Sequence, residues 1–92
     1  MTREKTHIQP GQKDLYDTED GYNLILMNDD VHSFDYVIDA LVEICHHTTQ
    51  QATQCTLLAH YHGSCEIKKG TRQELNPLRK ALLQKELRAT IG

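Results

Sequence analysis

Tyr22–Met27 is a six-residue run, apolar at every position but Asn23, that stops at Asn28-Asp29-Asp30. Its length and strand-forming residues predict one buried strand, and the Asn/Asp cluster marks where that strand ends. A strand this apolar needs a cover, and the residues after it supply one. Ser33 can cap a helix with Asp35 in its first turn, where negative charge suits the helix dipole. Phe34, Val37, Ile38, Leu41, Ile44 and Cys45 then fall at helical spacing and make one apolar stripe. The stretch Thr48 to Gln51 offers a capping box, and Ala52, Cys55, Thr56 and Ala59 share the next helix's inner face until Gly63 ends it.

The second half repeats this logic. Ser64–Lys69 alternates, with Cys65 and Ile67 on one side, as a half-exposed strand does. Thr71 and Glu74 form another capping box before the stripe Leu75, Leu78 and Leu82. Pro77 predicts either a kink in that helix or a start at Asn76, with proline as the first helical residue. Leu87, Ala89 and Ile91 alternate into a last short strand. The order β-α-α-β-α-β defines an α+β domain over residues 21–92: a small three-stranded sheet with three helices packed on one face. Residues 1–20 are charged and poor in apolar groups, so they are expected to form a flexible N-terminal arm. About seventy residues build a thin core with no room for a deep enclosed active site, which favours a shallow binding module over an enzyme.

Charge and cysteines narrow the function. Residues 1–67 hold three Lys/Arg against eleven Asp/Glu, whereas 68–92 hold seven against two. The basic end contains no aromatic residue, so it lacks the stacking groups of a nucleic-acid surface and reads as a solvated helix face. Three cysteines, with no apolar stretch among the first residues, fit a reduced cytoplasmic setting, and no run is long enough to span a membrane.

The candidate site is Asn28-Asp29-Asp30 together with His60, which lies in the last turn before Gly63. Taken separately, the tripeptide is a turn and the histidine a dipole-favoured helix end. If the fold unites them, carboxylate, amide oxygen and imidazole gather with almost no Lys or Arg nearby, and that set suits a primary ammonium, which has three donors and no acceptor. Cys45, His46, His47, Cys55, His60, His62 and Cys65 invite an alternative, a small metal-binding or thiol-dependent protein. Their spacing opposes it: there is no Cys-x-x-Cys, and Cys45 and Cys55 sit on apolar stripes.

With Tyr22–Gly63 laid out, the chain resembles ClpS, the adaptor family of the Clp ATP-dependent protease. The strand into Asn28-Asp29-Asp30, the helix Phe34-Asp35-Tyr36-Val37-Ile38-Asp39-Ala40-Leu41, Gln51-Ala52-Thr53-Gln54 and Ala59-His60-Tyr61-His62-Gly63 carry the likeness. It is looser through Thr71–Ile91. The resemblance implies a non-enzymatic adaptor without cofactor or metal. It would bind proteins that begin with a bulky apolar residue and a free α-amino group, and deliver them to the N-domain of a ClpA-type AAA+ unfoldase. It assigns Asn28, Asp30 and His60 to the α-amino group, with Asp29 in the same motif. Phe34, Thr56, Ala59 and Leu87 fall to the side-chain pocket, with His32 at its rim. Relatives often carry methionine where this chain has Phe34 and Thr56, and a branched residue at Ala59, which implies a reshaped pocket with a more polar wall.

Overall fold

The computed structural model describes residues 21–92; the arm expected over 1–20 lies outside the described residues. The elements are β1 (Tyr22–Met27), α1 (Phe34–Cys45), α2 (Thr49–His62), β2 (Ser64–Gly70), α3 (Arg72–Gln84) and β3 (Ala89–Ile91). The architecture is the expected α+β one. β1 occupies the centre of a three-stranded antiparallel sheet in the order β2-β1-β3. Its inward side chains Leu24 and Leu26 are almost fully buried, while Ile25 on the other face is half-buried.

Local chemistry sets the helix ends. Ser33 Oγ accepts from the Tyr36 N–H at 3.1 Å and starts α1. Both capping boxes form, Thr48 with Gln51 on α2 and Thr71 with Glu74 on α3. α2 ends at Gly63 with φ 94°, a left-handed value that glycine adopts without the penalty a Cβ brings. Pro77 sits inside α3, so Thr71 and not Asn76 is the cap. The helix passes through the proline because the Thr71 box fixes its start a full turn earlier.

The β1–β2 ladder pairs Leu24 with Lys68 but Ile25 with Glu66, leaving Ile67 as the extra residue of a β-bulge. Ile67 is buried, and its carbonyl accepts from Nε2 of the buried His47 at 2.6 Å. His47 therefore serves the fold here. Leu41, Leu75, Leu82 and Leu87 close the core between helices and sheet. The Tyr36 hydroxyl donates to the Lys85 carbonyl at 2.9 Å and ties α1 to the end of α3. Among the described residues no helix is long and apolar enough to cross a membrane.

Candidate functional site

The site is assembled at one end of the β1–β2 ladder. Met27 pairs with Ser64, and one step further the Asn28 N–H donates to the Gly63 carbonyl at 2.9 Å. Gly63 caps α2, so this rung brings the last turn of α2, with His60, against the acidic loop. Two segments far apart in sequence meet because a strand end and a helix end share one hydrogen bond.

From the loop, Asn28, Asp29 and His32 line a single hollow. Phe34 joins them from α1, and Thr56, Ala59 and His60 from α2. Leu26, Met27 and Val37 complete the wall, three residues the sequence reading left in the core. Two of the expected residues are elsewhere. Asp30 is exposed beside the hollow, where its Oδ1 accepts from Asn28 Nδ2 at 3.4 Å. Leu87 is 1% exposed and belongs to the hydrophobic core, off the hollow's wall. Its N–H bonds the Leu82 carbonyl at the end of α3, which turns the chain inward there.

The hollow's volume is about 10 Å³, room for one water-sized sphere. Phe34 lines it with its ring edge-on to His60, centroids 5.1 Å apart. Phe34 itself is 41% exposed. His60 also meets Tyr61 edge-on at 4.8 Å, and His32 stacks on Tyr36 at 4.6 Å.

Asn28 is held on several sides. Its N–H is taken by Gly63, its carbonyl accepts from Arg88 Nη2, and its Nδ2 donates to Asp30. Only Oδ1 is left, buried and without a partner. A buried acceptor in that state is costly unless something supplies a donor. Arg88 corrects the expectation of a loop with almost no neighbouring cation. β3 runs antiparallel to β1 and the Met27 N–H bonds the Arg88 carbonyl at 2.9 Å, which sets the guanidinium beside Asn28. Only the β1–β3 register reveals this neighbour, and no local motif encodes it.

Asp29 organises the loop. Its Oδ1 accepts from the Val31 N–H at 2.9 Å and the His32 N–H at 3.4 Å, and its Oδ2 meets His32 Nδ1. A carboxylate only accepts, so Nδ1 is the donor in this contact. Burial works to raise the Asp29 pKa, but the Val31 N–H, the His32 ring and the His32 N–H outweigh it, holding the carboxyl below 3.8. Its folded-state value is thus the depressed one. The loop's contribution to stability is whole above pH 3.8 and is lost as pH falls through the lower folded value. Thermal melts should therefore fall more steeply below pH 3.8 in the wild type than in Asp29→Asn. Parallel curves would remove Asp29 as the organiser.

The thiols behave as packing groups. Burial pushes Cys45 up to about 11, and burial with the adjacent Cys55 thiol pushes Cys65 up to about 12. Neither is a ready nucleophile, because the thiolate is the reactive form. Among the described residues no three His, Cys, Asp or Glu side chains are grouped so as to hold a metal ion.

The model of the family described as ATP-dependent Clp protease adaptor protein ClpS matches residues 17–90. The chain belongs to this family. It is 44% identical over 43 residues to the ClpS adapter of Campylobacter jejuni strain 81-176, a match covering 47% of this chain and 45% of that protein. To the ClpS adapter of Cronobacter sakazakii it is 43% identical over 42 residues, covering 46% and 40%. The chain thus spans about half the length of the curated relatives it matches. A solved structure, Agrobacterium tumefaciens ClpS2 bound to L-phenylalaninamide, superposes with a TM-score of 0.72 at 25% identity, covering 77% of this chain and 93% of that one.

Proposed function

We propose that this chain is a non-enzymatic adaptor of Clp-dependent proteolysis. It recognises proteins by a bulky apolar first residue with a free α-amino group and delivers them to the N-domain of a ClpA-type AAA+ unfoldase. The reading places it in the reduced cytoplasm, which suits its three free cysteines. One observation carries it: Asn28, which lines a hollow walled in equal parts by apolar and polar residues, keeps its Oδ1 as a buried acceptor without a donor. An α-ammonium supplies that donor and has two more N–H groups for a ring nitrogen of His60 and for the carboxylate of Asp30. L-Phenylalaninamide, held by the Agrobacterium protein, combines such an amino group with a phenyl ring.

The energetics favour both parts acting together. Moving the Phe34 ring off His60 costs about 0.5–1.5 kcal/mol of edge-to-face contact. Burying a Phe or Leu side chain in its place contributes about 1.5–3 kcal/mol, and the charge-assisted bonds add to it.

Fluorescence anisotropy with peptides beginning Phe, free or N-acetylated, tests the reading. The free form should bind and the acetylated one should not, because acetylation removes the positive charge and two of the three N–H donors that Asn28 Oδ1, His60 and Asp30 would share. Equal binding of the two forms overturns it.

A further inference from the structure

Of the three contacts that hold Asn28, those from Gly63 and Asp30 reach it from within its own β1–α2 neighbourhood. The third crosses the sheet. Arg88 precedes β3, is exposed, and donates from Nη2 to the Asn28 carbonyl. That carbonyl belongs to the peptide plane from which Asp29 and Asp30 depart. We infer that Arg88 is a positioning residue for the α-amino site. By clamping this plane it fixes where Asp30 stands, and Asp30 in turn holds Nδ2 of Asn28, which leaves Oδ1 as the amide's free atom. The guanidinium is a charge-assisted donor, whereas the Asp30 contact at 3.4 Å is long.

This assignment rests on the adaptor reading, and it runs against simple electrostatics. A positive charge beside a site for a cation repels that cation, so deleting it should tighten binding if the field were all that mattered. Positioning predicts the opposite sign. The guanidinium offsets its own repulsion because one bond to a backbone carbonyl keeps the acceptor set in order before any ligand arrives. A sequence-level comparison of charges would class Arg88 as unfavourable.

The experiment uses the full chain and a Phe-initiated peptide with a free amino group. Arg88→Met should weaken binding about tenfold, the scale of one lost charge-assisted hydrogen bond. Arg88→Lys, which retains a donor, should recover part of that loss. Asn28→Ala keeps the carbonyl that Arg88 clamps but removes the amide it orients, so in that background Arg88→Met should still weaken binding, by clearly less than in the wild type, through Asp30 alone. Independently of any peptide, Arg88→Met should shift and broaden the Asn28 side-chain amide pair in a ¹⁵N–¹H spectrum while the melting temperature holds. Unchanged or tighter binding, or an unmoved Asn28 amide pair, overturns the inference. If wild type binds no free-amino peptide, the adaptor reading falls, and the Asn28 amide pair still decides whether Arg88 sets that side chain.

Discussion

Asn28→Ala is expected to lower affinity for a free-amino peptide by about ten- to a hundredfold, the range of a hydrogen bond to a charged group at about 1.5–3 kcal/mol. The same change should leave the melting temperature level or higher. Most buried polar side chains lose stability on truncation because their partners are orphaned. Here the orphan is Asn28 Oδ1 itself, so removal relieves a desolvated acceptor and forfeits only the long contact to Asp30. Opposite effects on binding and stability distinguish a ligand atom from a structural one. Anisotropy and a thermal melt on one preparation check it. A fall in both, by similar free energies, would make the amide part of the scaffold and withdraw the main support for the adaptor reading.

Leu41→Ala should cost about 2–5 kcal/mol of stability. Leu41 is fully buried in the middle of α1, against the sheet. Its carbonyl also receives the backbone N–H of His46 and of His47 at the helix end, so little around it is free to close over a void. A domain of this size has roughly 0.05–0.15 kcal/mol per residue in hand, or about 4–11 kcal/mol over residues 21–92. One side chain thus holds a large share. Urea unfolding should show the midpoint falling with its slope unchanged. A loss below about 1 kcal/mol would mean that the helices collapse onto the cavity.

What could be seen in the sequence was local. Ser33, the Thr48–Gln51 and Thr71–Glu74 boxes and Gly63 each declare a helix end through contacts within a few residues, and the structure forms all of them. The element order followed from those ends. Pro77 shows the limit of such rules, because an earlier cap decided the start of α3. Non-local pairing hid the rest. Arg88 reaches Asn28 only through the register of β3 on β1, and His47 finds the Ile67 carbonyl only because a bulge frees it. The side-chain residues Met27 and Val37 read as core from their spacing, yet the hollow opens beside them. For the candidate site, spacing pointed to the right loop and helix turn, but it could not tell Asp29, bonded through both oxygens, from the more open Asp30.

The bond from the Asn28 N–H to the Gly63 carbonyl lies just past the terminal rung of the β1–β2 ladder. Terminal rungs fray first, at free energies far below that of global unfolding. If this one opens, the Arg88 bond keeps Asn28 on its β3 side while His60 moves with the end of α2, so under the adaptor reading the imidazole is the half of the site that comes and goes. A captured chain bridging the two sides would act as a latch on that tip, and the residence time of the cargo would be bounded by how often the rung lets go.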